Sequence, residues 1–133
     1  MIAVDTSALM AVALGEPEGD ACMDVLEAET EVLISAGTVA EALIVAGRRN
    51  ISEEMSGLIE GLGFTVVPVS AAAARRVALA YARWGRGVHP AGLNFGDCFA
   101  YALAEEHACP LLYVGEDFVR TDVVAARAIR DAE

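Results

Sequence analysis

The chain has 133 residues, 56% of them hydrophobic and 22% charged, with a formal net charge of −11. That length suits a single domain over residues 1–133, and the absence of any Pro/Gly/Ser-rich or single-residue tract excludes disorder and linkers. The acidic balance argues against general phosphate-backbone binding and leaves room only for local basic patches, since every basic residue is an arginine and several are clustered, Arg48 with Arg49, Arg75 with Arg76 and Arg83 with Arg86.

Ile2-Ala3-Val4-Asp5 reads as a short buried strand ending on a carboxylate. Asp5 interrupts the apolar N-terminal stretch and no basic residue precedes it, so neither a signal peptide nor a membrane span is indicated. A cytoplasmic protein away from membranes is expected. Thr6 and Ser7 offer caps for a helix ending near Gly15, and Pro17 suits the first turn of a second one. Within that second helix Cys22, Val25 and Leu26 recur at helical spacing, so the acidic run from Glu16 to Glu31 is its solvated face.

Val32–Ser35 is the second strand, and Thr38-Val39-Ala40-Glu41 has the spacing of a capping box opening a helix to about Arg49. Ser52-Glu53-Glu54 opens the next helix, ending near Gly63. Phe64–Val69 is the third strand, and Ser70 caps an Ala-rich helix through Ala80 that stops by Gly85. A loop with Gly87, Pro90 and Gly92 leads to Asn94, the cap of a helix with Phe95, Phe99, Ala102 and Leu103 on its apolar side. Pro110 precedes the last strand, Leu111–Val114. Helices alternating with strands too apolar to have a wet face predict an α/β fold, a mostly parallel sheet covered on both sides.

In such a sheet ligands bind at the carboxyl edge of the strands. Asp5 closes the first strand, Glu41 lies in the first turn of the helix after the second, and Glu116-Asp117 follow the last, so all three places fall on that edge. Asp97 lies in the first turn of the helix feeding the last strand, and local reading does not fix its edge. Each acid also has a structural use: capping for Glu41, a helix N-terminus for Asp97, a turn for Glu116-Asp117. Asp5, closing an apolar run with no partner nearby in sequence, has the weakest such excuse. Carboxylates gathered without His or Cys would repel one another unless a hard divalent cation, Mg²⁺ or Mn²⁺, joined them, and the matching reaction is phosphodiester hydrolysis.

Asp5-Thr6-Ser7-Ala8-Leu9, Glu41 on its helix, Asn94-Phe95-Gly96-Asp97-Cys98-Phe99-Ala100-Tyr101-Ala102, and Gly115-Glu116-Asp117-Phe118 through Thr121-Asp122 resemble the PIN-domain ribonuclease toxins of VapBC toxin–antitoxin systems along nearly the whole chain. The resemblance implies a three-layer α/β/α fold in which the Asp97 helix does reach the acidic pocket. It also implies a Mg²⁺-dependent endoribonuclease toxin of a type II system, with Asp5, Glu41, Asp97 and Asp117 as the catalytic, metal-binding acids. Asp5 and Asp97 would be the principal ligands, and an activated water would attack phosphorus in line, leaving 5′-phosphate and 3′-hydroxyl ends. Gly115 stands where many PIN domains have aspartate, so Glu116 and Asp117 both stay open as the fourth acid. Thr6, Ser7 and Asn94 are supporting or alternate ligands, with helix capping as their other use.

The resemblance further implies an RNA substrate, a cognate antitoxin and a homodimer. A groove between the helices from Val39 to Arg49 and from Glu53 to Leu62, carrying Leu43, Ile44, Leu58, Ile59 and Leu62, would accept an amphipathic antitoxin segment, or these residues pack the core or the dimer. The alternative from another class is a PIN-like module that binds RNA or protein without cutting. A phosphoacceptor receiver is excluded because the chain has no lysine, and a dehalogenase-like phosphatase is disfavoured by Ser7 two residues after Asp5. Cys22, Cys98 and Cys109 read as buried free thiols, His89 and His107 as surface groups, and Trp84 as a core anchor in preference to a base-stacking residue.

Overall fold

The structure, a computed structural model, describes residues 1–127, and the last residues of the expected domain, 128–133, lie outside the described residues. Four apolar runs form one parallel sheet: β1 (Ile2–Val4), β2 (Val32–Ser35), β3 (Thr65–Val67) and β4 (Leu111–Leu112), in the order β3-β2-β1-β4. Ala3 pairs with Leu33 on one side and Leu111 on the other, which puts β1 at the centre. Parallel neighbours need crossovers, and helices supply each one: α1 (Thr6–Ala13) and α2 (Gly19–Ala28), then α3 (Ala36–Arg48) and α4 (Ser52–Gly61), then α5 (Ala71–Trp84) and α6 (Phe95–Glu106).

The two-residue alternation of the strands divides the core. Ile2, Val4 and Ile34 pack with Leu9, Leu26, Ala42 and Met55 from α1 to α4. Ala3, Leu33 and Leu111 pack with Trp84, Tyr101 and Leu103 from α5 and α6. A sheet between two helical layers results, as expected. Trp84 is buried as a core anchor, edge-on to His89 and Tyr101. No helix among the described residues is long and apolar enough to cross a membrane.

Several local expectations change. β3 is an edge strand whose Thr65 and Val66 face solvent, so the rule that every strand lacks a wet face fails there. Phe95 does not join the apolar side of α6: it is 69% exposed, and Cys98, Tyr101, Ala102 and Leu103 make the buried face with Phe99 half-buried beside them. Cys22 and Cys98 are buried thiols as read, while Cys109 is half-buried. Of the five residues assigned to a groove, Leu58, Ile59 and Leu62 are half-buried against the core, whereas Leu43 and Ile44 face outward.

Candidate active site

β1 ends at the carboxyl edge, and Asp5 makes the turn into α1. The first helical cap is therefore Asp5 itself and not Thr6 or Ser7: its Oδ2 accepts from the Ser7 amide at 3.0 Å and from Ser7 Oγ at 2.7 Å. Ser7 Oγ in turn accepts from the Val114 amide at 3.0 Å, tying this corner to the chain leaving β4. Val114 thus bonds a side chain beyond the two-residue strand. The other carboxylate oxygen, Asp5 Oδ1, is buried with no hydrogen-bond partner among the described residues. Burial is the main reason that the Asp5 carboxyl is pushed up to about 6, against the opposing bonds from Ser7 and with a further push from the Glu41 charge.

Glu41 was read as the third residue of a capping box, and the structure overturns that reading. α3 begins earlier, capped by Ser35 Oγ accepting from the Gly37 amide at 3.1 Å, so Glu41 lies beyond the cap. Its Oε1 instead accepts from Thr6 Oγ1 at 2.6 Å. Thr6 and Ser7 each hold one carboxylate, Glu41 and Asp5 respectively.

Only residues 107–110 separate α6 from β4, so α6 returns antiparallel to the strand it feeds and starts at the carboxyl edge. This settles the edge that local reading left open for Asp97. A capping box is present here: Asn94 Oδ1 accepts from the Asp97 amide at 2.8 Å, and Asp97 Oδ2 accepts from the Asn94 amide at 3.0 Å. The structural role and the site position therefore coincide in Asp97. Its carboxyl rises to about 7, first through burial and then through the charges of Asp5, Asp117 and Glu41, against the bond from Asn94. Asp117 is thus the acid after β4 whose charge reaches Asp97, while the Glu116 charge is felt by Tyr113.

Two glycines set α3 against α6, and neither had been given a role. A Cβ on Gly96 would overlap the Glu41 carboxylate, and one on Gly37 would overlap the Phe99 ring. Glycine is a poorer helix former than alanine, by about 1 kcal/mol in a helix interior. At Gly96 it leaves room for Glu41 beside Asp97 at the positive end of α6. The sequence does carry a signal, a glycine between Asn94 and Asp97 in the first turn of a helix, where glycine is an unfavourable residue. Among the described residues, no three of His, Cys, Asp and Glu stand close enough together to hold an ion as they are placed. The donor set is hard oxygen throughout, with one oxygen, Asp5 Oδ1, buried and uncommitted.

The remaining polar residues serve the frame. Asp122 pairs with Arg83 at 3.5 Å and accepts from the Tyr101 hydroxyl, fastening the segment after β4 to α5 and α6. His89 Nδ1 accepts from the Ala91 amide at 3.0 Å, and His107 caps the end of α6.

A parallel α/β/α sandwich with two buried carboxylates, Asp5 and Asp97, at the carboxyl edge of its sheet, Glu41 near enough to raise both and Asp117 near enough to raise Asp97, defines the class of α/β protein with an acidic edge. The family model for the PIN domain matches residues 2–124. The chain is 42% identical over 127 residues to Ribonuclease VapC28 of Mycobacterium tuberculosis, covering 92% of this chain and 96% of that one. It is similar in fold to the crystal structure of M. tuberculosis VapC20, described as a sarcin-ricin loop cleaving toxin, with a TM-score of 0.78 at 16% identity, covering 96% of this chain and all of that one. A toxin–antitoxin complex from Klebsiella pneumoniae superposes with a TM-score of 0.70 at 21% identity over 97% of this chain and all of that one. The chain belongs to the PIN-domain family, among the VapC ribonucleases.

Proposed function

We propose that this chain is a Mg²⁺-dependent endoribonuclease toxin of a type II toxin–antitoxin system, with Asp5, Glu41, Asp97 and Asp117 as its acids. The observation that carries the reading is the pair Asp5 and Asp97. Both are buried at the carboxyl edge with raised carboxyls, Asp5 in the field of Glu41 and Asp97 in that of Asp5, Asp117 and Glu41, and Asp5 keeps one buried oxygen free. Buried carboxylates without cationic partners are costly, and a divalent ion offsets that cost. Bound there, the ion would supply charge neutralisation at phosphorus and a lowered pKa for the attacking water.

Asp5 and Asp97 are the principal ligands in this reading, and both give up their protons when the ion enters. Glu41 and Asp117 complete the set. Ser7 and Asn94 hold the two principal carboxylates in place, and Thr6 orients Glu41. Glu116, one residue from Asp117, is the alternate ligand. Hard oxygen donors favour Mg²⁺, with Mn²⁺ as a substitute. With water as the nucleophile and the 3′-oxygen as the leaving group, the P–O3′ bond breaks and the products carry 5′-phosphate and 3′-hydroxyl ends.

The reading includes a single domain, an RNA substrate, a cytoplasmic location, a homodimer and an antitoxin. Leu43 and Ile44, 38% and 59% exposed on α3, offer apolar surface for a partner helix beside the half-buried Leu58, Ile59 and Leu62. An arginine from that partner would be drawn to the acidic pocket. Structured RNAs incubated with Mg²⁺ should be cut, and excess EDTA should stop the cutting. Metal binding with no turnover on any RNA would favour the non-cleaving module instead. Co-expression with the protein encoded beside it should relieve growth arrest and yield a stable complex.

A further inference from the structure

α6 opens with an aromatic ring that the core does not use. Phe95 is 69% exposed, two residues before Asp97, and forms a T-shaped pair with Phe99 at 4.9 Å between ring centres, which steadies the ring. Phe95 lines an open recess with Tyr81, Arg86 and Asn94. The loop that carries Arg86 is fixed by backbone. Arg86 N donates to Leu93 O at 3.0 Å and Leu93 N donates to Trp84 O at 3.0 Å, which lays the start of the 85–94 loop alongside its end.

Gly85 lies so close to Tyr81 that a Cβ there would overlap the tyrosine's carbonyl and ring. The Tyr81 hydroxyl donates to Arg86 O at 3.4 Å, and its ring is 39% exposed. Arg83 is taken up by Asp122, but Arg86 forms no ion pair among the described residues. On a chain of net charge −11, a guanidinium with no ion pair among the described residues, beside two exposed aromatic residues, one of them on the helix turn that carries Asp97, is chemistry suited to a nucleotide.

We infer that this recess binds a nucleotide of single-stranded RNA next to the cleavage site, a base stacking on Phe95 with Tyr81 beside it and Arg86 meeting a phosphate. The inference rests on the ribonuclease reading. Trp84 is buried as a core anchor, and stacking falls to an aromatic that faces solvent. Arg86 and Asn94 border Phe95, and a guanidinium beside exposed rings suits a ligand that carries phosphate as well as a base.

The test uses the whole chain carrying Asp97→Asn, in excess EDTA so that residual cutting is stopped, and a fluorescein-labelled single-stranded RNA of random sequence followed by anisotropy. Adding Phe95→Ala should weaken binding by about fivefold to a hundredfold, the range of one lost base stack. Phe95→Trp should restore it, and the new tryptophan's fluorescence should fall as RNA is added. Arg86→Gln should reduce the slope of log K against log salt by about 1. Equal RNA affinity in the Phe95→Ala and parent proteins would overturn the inference alone. So would a Phe95→Ala protein that keeps its affinity but changes from dimer to monomer, since the surface would then belong to a second copy. Failure of the Asp97→Asn parent itself to bind RNA would overturn the ribonuclease reading with it.

Discussion

Two acid-rich regions of this chain have opposite physics. On α2, Asp20, Asp24 and Glu27 stand in water while Cys22 and Leu26 on the same helix enter the core. At the carboxyl edge, Asp5 and Asp97 are buried, and their carboxyls are raised to about 6 and about 7. A net charge of −11 counts both kinds of acid equally. What separates them is desolvation together with the mutual field of nearby carboxylates, so a strongly acidic composition is compatible with the proposed phosphoryl chemistry.

The largest expected effect follows from removing a charge in the buried region. Asp97→Asn should lower RNA cleavage by about 10²- to 10³-fold while raising the melting temperature of the metal-free protein, because one member of a repelling set is gone. Thermal melts and single-turnover cleavage measure the two together. Cleavage at the wild-type rate would remove Asp97 from the site.

Next in size is a substitution that adds no charge. Gly96→Ala would ordinarily favour a helix, yet here the methyl group displaces the Glu41 carboxylate, and cleavage should fall by about ten- to a hundredfold. Glu41→Gln, assayed alongside, should also lose activity, because the structure gives Glu41 no capping duty that Gln could preserve. Retention of both activity and stability in Glu41→Gln would return that residue to a structural role.

The third expectation concerns pH. Asp5 and Asp97 hold their protons in the folded metal-free protein above the ordinary carboxylate value of 3.8, so the unfolded state binds fewer protons between roughly pH 4 and 7. The stability from these two groups is fully present below about pH 4 and is lost as pH rises through about 6 to 7. Denaturant unfolding of wild type and Asp97→Asn across that window should show the wild type losing stability more steeply. The smallest effect belongs to the solvated region. Asp24→Asn and Glu27→Gln on α2 should change stability by no more than about 0.5 kcal/mol and leave cleavage unchanged.

Much of this contrast was legible in the sequence. Strand alternation and the spacing of apolar residues placed the layers, and a carboxylate closing an apolar run singled out Asp5. The α2 acids were read correctly because helical spacing alone decides which residues face water. Readings failed where tertiary contacts overrode a local pattern. Thr38 and Glu41 have capping-box spacing, but Ser35 three residues earlier begins the helix, which frees Glu41 to meet Thr6 across the fold. The edge occupied by Asp97 depends on the short return from α6 to β4, a matter of topology. Gly96 had a visible signal whose meaning needed Glu41 beside it, and Phe95 matched an apolar periodicity that its place at the helix tip defeats.

The central claim is that the buried carboxylates exist to receive a divalent ion, and proton release tests it most directly. Mg²⁺ should be titrated into the protein at about pH 6 by calorimetry in two buffers of different ionisation enthalpy. Binding should release protons from Asp5 and Asp97, with release falling as pH rises past 7, and Asp97→Asn should bind more weakly and release fewer. Mg²⁺ binding with no proton release, or with the same release in Asp97→Asn, would contradict the account.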